Sequence, residues 1–505
     1  MSTVLVLLVT LPLATTLLCI VTPQWISGWL TVSTGIAAFI GSLLLVPGAA
    51  QGTLTTVRYL RADALSVVFL LATCFLYAAT AIYAVGYLKT AGHVGDEEED
   101  RRAYFFSHSR RFYVGFNAFA WSMMCAPLVN GMALLWIAVE ITTVVSALLV
   151  ALDATESSTE AAWKYVLIAS SGLGIGLLAT IFIYFAGAQV LGQSYDLAFD
   201  PLLAAAGRLP DTPVRLAFVL AVVGYGTKVG LFPVHTWLPD AHAEAPTPVS
   251  ALLSGSLLAV SFYAILRYYQ VATAALGNHF PQTVLLVFGV LSLLLAALYL
   301  LEQQDIKRML AYSSIEHMGI LAIAVSFGAP LALSGAMLHV LAHAAAKGNA
   351  FMGAGVLVRK FGTKELNRMA DAIRLLPWSG PLFAATILAL CAMPPFGLFR
   401  SEFQIVAGGF AHQLNVATVA LVILVTLAFL GLAMSMTRIV FRTRPMAEIA
   451  GHENIAKLRI GEPSWWMVVP TLAGMVVLLV LGLTPPGQLL DLINHAAAAL
   501  GGRPT

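Results

Sequence analysis

The sequence predicts an all-α polytopic membrane protein of about 14 transmembrane helices, on three observations. Of its 505 residues, 59 % are hydrophobic and only 10 % are charged, against about 25 % charged in a soluble domain. Apolar runs of about 18 residues or more, long enough to cross a bilayer, recur from end to end. Lysine and arginine gather in alternate connections, the mark of a chain threaded back and forth through lipid. A formal net charge of +2 offers no basic face for nucleic acid, so the lipid bilayer is the expected surrounding.

The first run, "STVLVLLVTLPLATTLLCIV", lacks a positive n-region and a small-residue cleavage motif, so it reads as a retained helix over 2–21. The next spans are expected over 28–47, 63–87, 112–130, 132–151, 163–186 and 212–236. The remainder fall over 246–269, 283–302, 309–327, 330–357, 381–409, 414–440 and 465–486. This gives four parts: spans one to three (1–111), two five-helix units (112–270 and 271–441), and 442–505 with a loop, the fourteenth span and a short tail. Connections after odd-numbered spans hold most of the basic residues, among them Lys89, Lys164, Lys307, Arg359, Arg444, Lys457 and Arg459. Those after even-numbered spans hold only Arg58, Arg61, Arg208 and Arg215, with Arg267 near the end of the eighth span. Both termini are therefore expected on the outer face of a bacterial or archaeal cytoplasmic membrane. The acidic run "DEEED" (Asp96–Asp100) then falls in a cytoplasmic connection as a solvated turn.

The chain also repeats itself. "GLFPVHTW" (Gly230–Trp237) resembles "GLFRSEF" (Gly397–Phe403), each beside helix-breaking proline: Pro233 in the first, Pro394 and Pro395 in the second. "AAWKY" (Ala161–Tyr165) matches "AAAKG" (Ala344–Gly348), and Glu140 matches Glu316, at offsets of 167, 183 and 176 residues. An odd number of spans separates the copies, so the two five-helix units are predicted to be inverted, with spans seven and twelve discontinuous. That arrangement places an ion site near the membrane midplane. "SGLGIG" (Ser171–Gly176) has no strand before it, so it is read as close helix packing and not a dinucleotide loop.

Against this apolar background a few charges stand out. Lys228, Lys347, Arg400, Glu140, Glu316 and Glu402 lie within predicted spans, with His317, His339 and His343. Each such charge costs about 2.5–3.5 kcal/mol on insertion scales, so six taken singly cost roughly 15–20 kcal/mol. That exceeds the ~5–15 kcal/mol net stability of a fold. The charges must be paired, hydrated or partly neutral. His339, His343 and Lys347 are spaced i, i+4, i+8 and share a helix face. They could relay protons, or form a polar stripe that only bonds neighbouring helices. Glu140 is expected to pair with Lys228, either functionally or as a structural ion pair. Pro233 leaves carbonyls of the preceding turn unpaired, which is tolerated at membrane depth only beside protein or a hydrated cavity. His235 and His242 are expected at the interface. No compact carboxylate–histidine set suggests a metal. Cys19, Cys74, Cys125 and Cys391 are scattered in apolar runs without ligand spacing, so no cofactor is expected in this chain.

The same motifs carry a family resemblance. "KVGLFPVHTWLPDAHAEAPTPVSALLSG" (Lys228–Gly255) resembles the core signature of antiporter-like subunits. These are shared by respiratory complex I, multisubunit sodium/proton antiporters and membrane-bound hydrogenases. "DIKRMLAYSSIEHMG" (Asp305–Gly319) and "HVLAHAAAKGNAFMGAG" (His339–Gly355) resemble two further signatures, and the likeness spans about residues 60–440. "TEAAWKYVLI", "SSIEHMG" and "PPFGLFRSEF" are similar to the hydrogenase-4 component F branch of formate hydrogenlyase-type complexes. The resemblance implies proton translocation along a hydrated polar axis, with Glu140 and Lys228 as a pair and Lys347 at the centre. It implies Glu402 as the terminal group, Lys164 as a sixth-span lysine and Lys307 as a ninth-span position near the cytoplasmic end. Glu316, His317, His339 and His343 complete the path, and Arg400 is a fixed charge that tunes Glu402, since arginine does not titrate usefully. Nickel–iron and iron–sulfur centres are implied in partner subunits, beside further membrane subunits. A sodium/proton antiporter, a complex I-like NADH or ferredoxin enzyme, and a non-pumping anchor are the alternatives. Two departures matter. Where many relatives carry Lys or His in the eighth span, this chain has Ala259 with Ser254, Ser256 and Ser261. Only about 19 residues follow the fourteenth span, where some members end in a long lateral helix.

Overall fold

The computed structural model describes residues 1–56, 58–91, 98–442 and 460–501. The side chains of the acidic run at 96–100, and Arg444, Lys457 and Arg459, lie outside the described residues. The chain opens with α1 (Ser2–Val21) and α2 (Gln24–Gln51), then a short hairpin of β1 (Leu54–Thr56) and β2 (Leu60–Ala62). There follow α3 (Ala64–Ala91), α4 (Glu98–Cys125), α5 (Met132–Val150), α6 (Glu156–Leu191) and α7 (Phe199–Ala205). The seventh span is α8 (Asp211–Val229) and α9 (Trp237–Glu244); the eighth is α10 (Thr247–Leu252), a π-helical turn (Leu253–Leu257) and α11 (Leu258–Leu276). Then come α12 (His279–Leu300), α13 (Ile306–Phe327), α14 (Pro330–Phe361) and α15 (Ala372–Leu375). The interrupted pair α16 (Ser379–Leu390) and α17 (Gly397–Ala411) leads to α18 (Asn415–Phe441), α19 (Trp465–Leu483) and α20 (Gly487–Leu500).

Ten helices among the described residues are long and apolar enough to cross a membrane. Polar side chains or interruptions keep α4, α8, α14, α16 and α17 outside that set. The α10–α11 span and α13 are enclosed on all sides, whereas α1 and α18 keep much of their apolar surface at the periphery, where lipid can satisfy it. Helix starts follow local chemistry. Asp305 accepts the backbone N–H groups of Lys307 and Arg308 at the head of α13, and Thr155 and Ser158 cap α6 reciprocally. Gly172 and Gly176 of "SGLGIG" serve packing, as expected: a Cβ at Gly224 of α8 would lie 2.8 Å from the Gly172 carbonyl oxygen of α6, whereas Gly174 faces open space.

Several boundaries depart from the sequence reading. The polar stretch before residue 112 is helical from Glu98, and α6 runs 36 residues, because a helix can continue past the apolar run that reveals it. The tail expected after the fourteenth span holds α20, which packs against α2, α3 and α14 through Leu492, Ile493, Ala496, Ala497 and Leu500. Lys307 lies in the first turn of α13, the tenth span, and not in the ninth.

Glycine, not proline, ends α8. Gly230 adopts φ +82, and the N–H groups of Gly230 and Leu231 both return to the Gly226 carbonyl at 2.9 Å. Pro233 lies beyond this stop. The second break has the same form without glycine: Ala392 adopts φ +49 and the Met393 N–H returns to the Leu388 carbonyl at 3.0 Å. A left-handed alanine costs about 1–2 kcal/mol. Ala392→Gly is therefore expected to stabilise the protein by about 1 kcal/mol and Gly230→Ala to destabilise it, read from thermal unfolding in detergent. An unchanged midpoint in both variants would contradict this account.

At one end of the bundle a buried ionic network ties distant segments. Arg267 of α11, 3 % exposed, grips Asp63 with two bonds of 2.7 and 2.8 Å. It also donates to Tyr263, Ser66 and Gln270. Arg61 joins Asp63 to Asp200, each at 2.7 Å. Burial alone would raise the Asp63 carboxyl, but the guanidiniums of Arg267 and Arg61 outweigh it and hold it well below the usual carboxylate range.

Candidate functional site

Two polar clusters lie inside the bundle. In the first, Lys228 is fully buried in the last turn of α8. Its Nζ donates to Thr143 Oγ1 of α5 and sits 5.3 Å over the Tyr165 ring of α6. Glu140, one turn before Thr143, accepts from Ser170 Oγ of α6 at 3.1 Å, and its second oxygen is unpartnered. No salt bridge within 4 Å joins Glu140 and Lys228 among the described residues; hydroxyls of α5 and α6 bond each group, and Glu140 remains the charge that acts on Lys228. The break in the seventh span is closed by protein. Trp237 donates its indole N–H to the Thr227 carbonyl at 2.7 Å, and its ring packs 4.4 Å from that of Tyr165.

The second cluster joins α13, α14 and α17. Lys347, fully buried, donates to the Leu310 carbonyl at 3.1 Å, and that oxygen also accepts Ser314 Oγ at 2.9 Å. Ser314 meets Ser254 of the π-helical turn at 2.7 Å. Since the Ser314 hydroxyl donates to Leu310, Ser254 is the donor to Ser314. The two serines thus bring the eighth span to the Leu310 carbonyl that Lys347 also bonds, where Ala259 left a gap in the sequence, with Ser314 and Lys347 meeting as two donors on one acceptor. Glu316 accepts from Ser313 at 3.1 Å. Lys307 donates to the Ala245 carbonyl at 2.8 Å.

His317, His339 and His343 are fully buried, with ring centroids 5.1–6.3 Å apart. His317 Nδ1 and His339 Nε2 lie 3.1 Å apart, and His339 Nδ1 reaches Ser401 Oγ of α17 at 3.0 Å. Ligand atoms of His317, His339 and Glu402 all fall within 4.8 Å of one another. The sequence expectation that no compact carboxylate–histidine set accompanies these histidines is thereby corrected: three helices bring together residues far apart in the chain.

Other expected site residues lie apart. Lys164 is half exposed, bonded to Glu160 at 2.6 Å and to Asp240 at 3.5 Å, and Asp240 also holds Arg308 at 3.0 Å. Arg400 reaches the Gly482 carbonyl at 3.4 Å. His242, expected at the interface, is fully buried, stacks on Phe351 at 5.0 Å and has both ring nitrogens unpartnered. His235 is also buried. The sequence reading singles out Ser254 beside Ala259 but not the hydroxyls of Thr143, Ser170, Ser313, Ser314 and Ser401. A signal was available for some: Thr143 and Ser313 stand three residues from Glu140 and Glu316, one turn away on the same face.

Each cluster keeps amines, carboxyls or imidazoles out of water with hydroxyl and carbonyl partners in place of counter-ions. Such groups can hold and pass protons. Residues 129–429 match the family described as NADH:quinone oxidoreductase/Mrp antiporter, transmembrane. The chain belongs to that family. This antiporter-like membrane chain is 34 % identical over 410 residues to the Hydrogenase-4 component F homolog of Methylacidiphilum infernorum (isolate V4), covering 79 % of this chain and 82 % of that one. It is 30 % identical over 357 residues to Hydrogenase-4 component B of Escherichia coli (strain K12), covering 68 % and 50 %. The fold is shared with a chain of the membrane-bound sulfane sulfur reductase, an archaeal respiratory membrane complex (TM-score 0.83, 20 % identity, 98 % and 97 % covered). It is shared equally with a chain of the Mrp complex from Dietzia sp. DQ12-45-1b (0.81, 21 %, 99 % and 97 %). Respiratory complex I from Thermus thermophilus supplies a third such chain (0.79, 21 %, 99 % and 100 %).

Proposed function

We propose that this antiporter-like chain is the proton-translocating membrane subunit of a group 4 membrane-bound nickel–iron hydrogenase of the formate hydrogenlyase type. The observation that carries the reading is the pair of fully buried lysines, Lys228 and Lys347, each hydrogen-bonded to a neutral partner. A buried lysine without a bonded counter-ion is costly unless it can shed its proton. The likeness to the Hydrogenase-4 component F homolog, across 82 % of that protein, supports the branch. The path runs from Lys228, beside Glu140, across Ser254 and Ser314 to Lys347 and Glu316. It continues through His343, His339 and His317 to Glu402, with Arg400 as a fixed charge and Lys307 and Lys164 towards the cytoplasmic end.

In this reading there are 14 spans, with both termini outside the cytoplasmic membrane, and two inverted five-helix units over 112–270 and 271–441. The shared form of the two breaks supports the repeat: each stops at a left-handed residue, Gly230 or Ala392, and the next N–H returns to the carbonyl five residues back. Nickel–iron and iron–sulfur centres belong to peripheral partner subunits, bound through further membrane subunits. The test is to purify the tagged chain in mild detergent and identify its companions by mass spectrometry. A nickel–iron hydrogenase large subunit with iron–sulfur proteins is the expected result. Several small antiporter subunits without any redox protein would overturn the assignment in favour of sodium/proton exchange.

A further inference from the structure

We propose that His317, His339 and Glu402 form a binding site for a divalent transition-metal ion of the zinc type, wedged between α13, α14 and α17. The inference stands whatever ion the chain moves, because it concerns occupancy of three side chains and not transport.

The donor set is two imidazoles and one carboxylate, which suits zinc and its neighbours and leaves a fourth position open. The spacing also suits it. Two nitrogens on a tetrahedral zinc ion stand about 3.3 Å apart, and His317 Nδ1 and His339 Nε2 are at 3.1 Å. The Glu402 carboxylate, within 4.8 Å of both, closes in with a small side-chain adjustment. Its charge offsets half that of the ion, which a neutral pair of histidines could not do.

The surrounding hydrogen bonds fix which nitrogens carry protons. Ser401 donates its hydroxyl to the Leu398 carbonyl at 2.8 Å, so towards His339 Nδ1 it must accept. His339 therefore holds its proton on Nδ1 and presents a bare lone pair on Nε2, as metal-binding histidines do when a second group orients them. His317 at present gives its Nδ1 proton to that lone pair. On binding, this proton moves to Nε2 of the same ring, which has no partner in the structure. His343, 5.1 Å away by ring centroid, also has both nitrogens unpartnered, so a buried acceptor lies in the same cluster although no hydrogen bond joins the two rings. The imidazole thus changes tautomer, no bond other than N–H is broken, and no redox step is needed.

The experiment is a cobalt(II) titration of the purified chain in detergent, using an affinity tag without histidine. Cobalt reports ligand geometry through its visible absorption. One equivalent of saturable absorption is expected, displaced by zinc, and lost in His339→Ala and in Glu402→Gln. The glutamine preserves side-chain size, so it serves if the alanine variant fails to fold. Ser401→Ala keeps all three ligands but frees the His339 tautomer, and is expected to weaken binding by about 10–100-fold. A wild-type chain that takes up no cobalt overturns the proposal. So does a spectrum that survives the His317→Ala/His339→Ala double variant, since exposed histidines such as His279, His412 and His495 would then account for it.

Discussion

Lys347→Ala is expected to abolish proton transport by the reconstituted protein while leaving it folded in the membrane. Lys347 is fully buried, and its only hydrogen bond among the described residues is to the Leu310 carbonyl, which keeps Ser314 as a partner in the variant. Removing an amine so placed relieves its own desolvation, and Glu316, the buried carboxyl whose charge acts on Lys347, can take up a proton once the amine is gone, so the fold is kept at a modest cost in stability. Loss of a proton donor and acceptor typically costs about 10²–10⁴-fold in rate. Lys347→Arg separates two explanations. Arginine keeps the positive charge but does not give up its proton. If proton exchange is the role, the arginine variant is as inactive as the alanine one; if only charge matters, it retains transport. The measurement is proton uptake by proteoliposomes, beside a detergent melting curve as a folding check. Undiminished uptake in Lys347→Ala would remove this lysine from the path. Lys164, half exposed and paired at the surface, should by contrast tolerate alanine with a stability change under about 1 kcal/mol.

Asp63→Ala carries the largest expected loss of stability, about 3–5 kcal/mol. The substitution leaves Arg267 buried without its bidentate carboxylate and deprives Arg61 of one of two partners. It also removes the acceptor for the Ser66 N–H at the start of α3. The cost comes chiefly from stranding a guanidinium in a dry interior. Asp63→Ala/Arg267→Met, which removes both charges and restores apolar volume, should therefore recover most of the loss. A double variant no more stable than Asp63→Ala would show that the hydrogen bonds to Tyr263, Ser66 and Gln270 hold this end together instead.

The spans were legible in the sequence because crossing a bilayer demands an uninterrupted apolar run, and few other structures do. Helix ends were not, because nothing apolar marks where α4 or α6 continues into a polar environment. Proline pointed to both interruptions, yet the chain stops at Gly230 and Ala392. A left-handed alanine has no sequence signal at all. In α20 the buried positions recur with the spacing of a surface helix, which a search for long apolar runs passes over. The same division holds within the site. That Lys228, Lys347 and the three histidines are buried could be read from the runs around them. Their hydrogen-bond partners could not: charge alone links Glu140 to Lys228, but their bonds go to Ser170 and Thr143. A position beside a helix end suggests an interfacial His242, but that end is itself enclosed. Asp63 and Arg267 are 204 residues apart, and no local pattern links them.

The π-helical turn at Leu253–Leu257 has a consequence for how this protein tolerates change over generations. An α-helix advances about 100° per residue, so the extra residue in that turn rotates everything beyond it around the axis. It is this rotation that aims Tyr263 at Ser66, Arg267 at Asp63 and Ser66, and Gln270 at the Ala499 carbonyl. Substitutions within the turn can be absorbed, but a one-residue deletion would swing the whole of α11 away from its partners. A deletion scan scored by folded yield should therefore show a gap across 253–257 as deep as that produced by losing Asp63 itself. For this stretch of the chain, the fold constrains length more strictly than composition.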